Sequence, residues 1–320
     1  MFCRSRVCSM LIAVCLLMSL AGCGPGSRVA LNLTPADTAT YKVSTQTIKD
    51  FRFEQPSLTP PKVKEEQSGT FVQVAFVQKI DEVRQDGAAL ATITIKDVAY
   101  LVKEKNDVRF DFDSAREADK TKDFAKVIGQ SYKIRILPDG KIEVVDAKDA
   151  AVVAIAGYEG QVAKAMFTDE HIRQRHEVLA LPSEKNTLRP GDSWSTVVAS
   201  PPGLLVSKSF RKTYTLTDVE GPRDNRAATI AMTAEESAEP VADASAKPAT
   251  MGLFANLFDT KEVYTGNMVL ELGAGKIRHY DEKLVATYMA AEDPPGGASD
   301  KGPDTLMMRF TYSVTRELLD

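Results

Sequence analysis

Cysteine is missing from nearly the whole chain. All four, Cys3, Cys8, Cys15 and Cys23, fall within the first 23 of 320 residues. The sequence after them has no thiol, which excludes disulfides, Cys-ligated metals and a cysteine nucleophile there. Histidine is scarce too, with only His171, His176 and His279. His171 and His176 are five residues apart and point to different sides of a helix at about 100° per residue, so they do not share a metal. His279 stands among charges on a strand. A single Trp leaves no aromatic platform for carbohydrate. The 40 Lys and Arg do not outnumber the 44 Asp and Glu and form no basic stripe, which argues against a nucleic-acid partner.

Signatures of catalysis are lacking as well. No Gly-x-Ser-x-Gly, His-Glu-x-x-His or Cys-x-x-Cys occurs. Ser209-Phe210-Arg211-Lys212 matches Ser-x-x-Lys by letter, but it lies on a strand pattern and its partner motifs are missing. Gly273-Ala274-Gly275-Lys276 reads as a turn, not a phosphate loop. Asp111, Asp113 and Ser114 carry oxygen ligands but lack the Gly and distal Glu of an EF-hand loop, and read as a solvated strand end. No catalytic residue, metal ligand or cofactor is assigned.

What is present begins at the start of the chain. Arg4 and Arg6 precede an apolar run from Val7 to Ala21. A basic start, an apolar stretch of this length and small residues at its end define a secretory signal. The run is shorter than the ~20 residues of a membrane span, and Gly24, Pro25 and Gly26 stop any helix. Leu20-Ala21-Gly22-Cys23 resembles the lipobox of bacterial lipoproteins at all four positions. The resemblance implies cleavage before Cys23, with 1–22 as signal peptide, and lipid on the Cys23 sulfur. Two or three acyl chains make a stable anchor where one does not. The expected location is the cell envelope, at the periplasmic face of the outer or inner membrane or at the cell surface. The membrane is then a partner through Cys23 alone. Removing Arg4 and Arg6 takes the 40 basic residues to 38 against 44 acidic ones, so the formal charge moves from −4 to −6.

Residues 23–39 read as a lipidated tether and 40–320 as one β-rich domain. Alternation of apolar and polar residues marks strands with one dry and one wet face. It is clear in Tyr41–Phe53, Thr70–Val83, Ala89–Val102 and Val108–Phe112. Tyr132–Ile136 and Ile142–Val144 form a hairpin across Pro138-Asp139-Gly140. The period changes to three and four over about 147–180, where Thr168 heads a helix with an acidic first turn. Strands resume at Trp194–Val198, Leu204–Val219, Ala227–Thr233, Val263–Leu272, Lys276–Tyr288 and Leu306–Leu318. The composition of about 234–262 suggests a flexible insertion. Its end, Met251–Phe258, is apolar and reads as a segment packed on the sheet, or as a lid or a membrane-touching patch. The expected fold is mainly β (α+β): a large curved antiparallel sheet in two strand-rich halves, about 40–146 and 193–320, with a central helical pair. Asp139-Gly140-Lys141-Ile142 and Ala274-Gly275-Lys276-Ile277 occupy matching hairpins in the two halves.

Phe110-Asp111-Phe112-Asp113-Ser114, the Pro138–Ile142 hairpin, Leu181-Pro182 and Arg189-Pro190-Gly191-Asp192-Ser193-Trp194 together resemble a family of β-rich lipoprotein domains of planctomycete-type bacteria. That resemblance implies location and fold and carries no activity. Function is read as a non-catalytic binding or structural lipoprotein, holding an apolar ligand between sheet and helices. The alternatives are an envelope hydrolase without a recognisable motif, and an assembly partner docking on an envelope protein through 251–258. Trp194, Phe254 and Phe258 are the candidate ligand-facing residues. Trp194 also suits a strand start that buries its ring.

Overall fold

A computed structural model describes residues 26–147, 154–182, 187–222, 225–241, 257–293 and 300–319. One antiparallel sheet of 12 strands makes up most of it. From one edge its order is β7 (Ile142–Asp146), β6 (Ser131–Ile136), β4 (Ala89–Glu104), β3 (Lys62–Val83) and β2 (Thr38–Gln55). It continues with β14 (Asp304–Leu318), β13 (Lys276–Glu292), β12 (Asp259–Glu271), β11 (Ala227–Ser237), β10 (Ser209–Glu220) and β9 (Ser193–Ala199). β5 (Asp107–Asp113) shares with β6 the outer edge of β4. The two expected halves are thus contiguous, joined where β2 pairs with β14. A separate two-stranded ladder joins β1 (Ser27–Arg28) to β8 (Thr187–Leu188).

Period-two alternation sets the inner face. Tyr41 and Val43 on β2, Val74 and Phe76 on β3, and Phe310, Tyr312 and Val314 on β14 all point inward and are buried. Each such side chain contributes roughly 1.5–3 kcal/mol by leaving water. Two helices lie on this face, α1 (Gly157–Met166) and α2 (Asp169–His176). The Thr168 side chain caps α2, accepting from the His171 amide. Ile172, Arg175 and His176 form the buried side of α2, at spacings of three and four. The His176 ring meets Phe76 at 4.6 Å, and Gln174 Nε2 donates to Tyr312 Oη at 3.1 Å. Phe124, in a short 3-10 turn (Asp123–Val127), packs edge-on against Phe110 and Phe112.

The matching glycine turns both act as seats. Gly140 and Gly275 have φ of +83° and +60°. A Cβ on Gly140 would fall 2.1 Å from the Val178 carbonyl oxygen, and one on Gly275 2.0 Å from the Asn32 nitrogen. Only glycine permits both the backbone angle and the approach. The exit of α2 therefore rests on one hairpin and the amino-terminal segment on the other. Beyond α2, Leu179, Leu181 and Pro182 share a cavity of about 440 Å³ with Asp139 and Lys141 of the β6–β7 turn and with Ser193–Thr196 of β9. The sheet thus curls far enough for its two ends to face one cavity, while remaining open.

Several boundaries differ from the sequence reading. The expected tether is partly built into the domain. Val29 is fully buried, Leu31 and Leu33 pack on the core, and β2 begins at Thr38. The expected insertion at about 234–262 is narrower, because β11 runs to Ser237 and β12 starts at Asp259. β3 starts at Lys62, eight residues before the expected Thr70. There Lys62–Gly69 pairs with the outer end of β2, where both faces are largely wet and no alternation is needed. Within the helical segment expected over about 147–180, α1 begins only at Gly157 and α2 ends at His176.

Candidate functional site

A half-open cavity of about 500 Å³ lies between the inner face and the helices. Val43, Thr45, Thr47 and Lys49 follow one another along β2, and Val74, Val72, Thr70 and Ser68 do so along β3. They share one wall because alternate residues of a strand face the same way. Tyr100 of β4 extends this wall beside Val72, and Met166, His171, Gln174 and Arg175 form the helix side. Pro202 and Gly203 of the β9–β10 loop reach across from the other half, together with Tyr312. The wall grades from valine and Met166 beside the helices to threonine, serine and lysine toward the outer end.

Its charge has one sign. Lys49, Lys103 and Arg175 line the cavity, and no Asp or Glu does among the described residues. None of the three has an ion-pair partner among the described residues. Arg175 is only 8% exposed. Its Nη1 donates to Tyr132 Oη at 3.0 Å and its Nη2 to the Met166 carbonyl at 3.1 Å. Behind it lies Arg316, 6% exposed, with its guanidinium 4.1 Å from the centre of the Tyr41 ring. Arg316 Nη1 donates to the His176 carbonyl at 3.1 Å. Burial holds the His176 pKa well below its ordinary value, and the charges of Arg175 and Arg316 push the same way. His176 is therefore neutral. Tyr132 Oη accepts from Arg175 and stands 2.5 Å from His176 Nε2, so its one proton points there. That leaves the ring proton on Nδ1, which has no partner.

The other half carries a buried ionic group of a different kind. Lys212 on β10 and Glu282 on β13 pair at 2.5 Å, at 5% and 7% exposure. Tyr264 Oη and Tyr280 Oη also donate to Glu282, at 3.2 and 2.8 Å. Burial alone would lower the Lys212 pKa, but the charge and hydrogen bond of Glu282, together with Tyr214 and Tyr312, outweigh it and raise the value. Burial and the Glu282 charge raise both tyrosines well above their ordinary range. None of these four side chains lines either cavity described above.

The sequence candidates fall in several places. Trp194 is half-buried, stacks on Tyr214 with ring centres 5.9 Å apart, and lines the 440 Å³ cavity. Its Nε1 is buried without a partner. Phe258 is partly buried against the core. Phe254 and Leu20, Ala21, Gly22 and Cys23 lie outside the described residues. Asp111 is paired with Arg116 at 2.7 Å, and Asp113 accepts from the Ala115 amide at 2.9 Å. His171 reaches the main cavity, whereas His176 is held on the inner face beside Phe76. The structure does not bring Trp194 and Phe258 to the larger cavity.

Sequence reading missed Arg175, Arg316, Lys49 and Lys103. A signal existed for the first two. Arg175 and His176 recur with Ile172 at the spacing of a buried helix face, and Arg316 follows Phe310, Tyr312 and Val314 in strict alternation. Charge at an inward position of an apolar pattern is the mark to look for.

No protein-family model matches the chain, and no curated protein matches it. Among solved structures it is similar to lipovitellin in a study of lipid–protein interactions, at 8% identity and a TM-score of 0.40. That match covers 90% of this chain and 26% of the other, so the chain spans about a quarter of lipovitellin's length. It is also similar to OpdL of Pseudomonas aeruginosa, at 11% identity and a TM-score of 0.19, covering 89% and 99% of the two chains. OccK7 (OpdD) of the same organism matches at 9% and 0.19, covering 89% and 100%. Likenesses this distant say nothing of function.

Proposed function

We propose that this chain is a lipid-anchored binding protein of the cell envelope, holding an amphiphilic ligand between its sheet and its helices. The half-open cavity of about 500 Å³ carries the reading. Its volume is that of a small-molecule site. Its wall combines Val43, Val74 and Met166 with Thr47, Thr70 and Ser68, which suits a ligand with an apolar and a polar part. Anchoring rests on the lipobox resemblance at Leu20–Cys23, which would keep the cavity close to a membrane source of such molecules.

The test is extraction of the full chain from membranes, followed by native mass spectrometry and solvent extraction. An amphiphile at near one-to-one ratio is expected, and Val72→Trp, which fills the cavity, is expected to lose it. Purified protein that carries none, and takes up none from added vesicles, contradicts the reading. Anchoring is checked separately. Cys23→Ser is expected to leave the protein in the aqueous phase with no acyl mass, while wild type partitions with detergent.

A further inference from the structure

We propose that the ligand's polar end is an anion, a carboxylate or phosphate, received by Arg175 in a cavity that Lys49 and Lys103 also line. The inference rests on the binding reading above and adds the chemistry of the headgroup. Three cations line this cavity, and no carboxylate does among the described residues. Of the other buried charges, Lys212 pairs with Glu282 and Asp119 with Arg116 and Lys122, while Arg316 has no ion-pair partner among the described residues but lines neither cavity.

Arg175 differs from these. A guanidinium offers five N–H donors, and the chain engages two, on Tyr132 and Met166. Both acceptors are neutral. A cation this deeply buried is costly without a counter-charge, and the cavity is where a counter-charge can enter. The groups behind Arg175 add to the positive field, because Arg316 is buried without a carboxylate partner among the described residues and His176 supplies no negative charge. Lys49 lies 3.0 Å from where a Gly203 Cβ would stand, so its ammonium sits under the loop from the other half. A side chain at residue 203 would displace it. A planar fork with donors to spare, in a cavity that two ammonium groups also line, suits a carboxylate or phosphate.

The experiment is calorimetric titration of the full chain at fixed non-ionic detergent, using decanoate, decyl phosphate, decanol and inorganic phosphate. Decanoate or decyl phosphate is expected to bind at least about tenfold tighter than decanol, the worth of one charge-assisted hydrogen bond. Arg175→Met is expected to bring the anions down to the alcohol's affinity and leave decanol unchanged. Lys49→Met with Lys103→Met, at wall positions open to solvent, is expected to weaken the anions alone, by about threefold or more. That variant decides the matter should Arg175→Met fail to fold. Equal affinity for decanoate, decyl phosphate and decanol overturns the anion while leaving the binding reading intact. No binding of any decyl compound overturns both. Inorganic phosphate binding as tightly as decyl phosphate, with decanol unbound, supports the anion site and overturns the amphiphile.

Discussion

Each half of the sheet encloses charged side chains, and the halves treat them differently. In the carboxyl-terminal half Lys212 meets Glu282, and two tyrosines complete the carboxylate's hydrogen bonds. Against the amino-terminal half, Arg175 of α2 and Arg316 of β14 stand on Tyr132, Tyr41 and backbone carbonyls, with a neutral histidine between them. The first group lies away from the larger cavity, while Arg175 forms part of its wall. A buried charge with its own counter-ion serves the fold. A buried charge that lacks one, at the wall of an open cavity, is placed to meet a counter-ion from outside.

The sharpest way to break this contrast is Glu282→Gln. It leaves Lys212 buried and unpaired, and a loss of about 3–5 kcal/mol is expected in urea unfolding. Lys212→Met with Glu282→Leu should recover part of it, since no charge is then orphaned. Arg175→Met strands no carboxylate, only the Tyr132 hydroxyl and the Met166 carbonyl. Its expected cost is no more than about 2 kcal/mol. A loss equal to that of Glu282→Gln would mean that Arg175 is as structurally committed as Lys212.

Protonation gives a smaller effect with a definite sign. Facing Arg175, Arg316 and Tyr132, His176 has a folded pKa below its unfolded value. The unfolded chain therefore binds more protons below about pH 6.5, and stability falls as pH drops through that range. The slope from His176 approaches 1.4 kcal/mol per pH unit at most. His171 is shifted the same way by burial, though it is more exposed. His176→Gln should flatten the urea midpoint between pH 6.5 and 5 more than His171→Gln does. The least effect on folding is expected from Lys49→Met and Lys103→Met, within about 0.5 kcal/mol for surface substitutions without partners.

The same contrast explains what could be read from the sequence. The sheet was legible wherever one face is dry, as in Tyr41–Val43 or Phe310–Val314. It was illegible at Lys62–Gly69, Ala234–Ser237 and Asp259–Glu262, where strands pair in largely wet surroundings and alternation has no cause. The matched glycine turns were visible, but their role as seats for Val178 and Asn32 depends on long-range contacts that no local pattern encodes. The helical segment was legible, and the cavity between it and the sheet was expected only in outline. Its cationic wall went unseen because Arg175 looks like one of many charges in Asp169–Glu177, and only helix geometry shows that it faces inward with Ile172.

One measurement reaches the difference between the two buried groups most directly. Thermal unfolding of the full chain is followed with and without saturating decanoate, in wild type, Arg175→Met, and Lys212→Met with Glu282→Leu. A ligand that binds only the folded state raises the midpoint. The account expects a rise in wild type and in the Lys212/Glu282 variant, and none in Arg175→Met. The same rise in all three, or none in wild type, would contradict it.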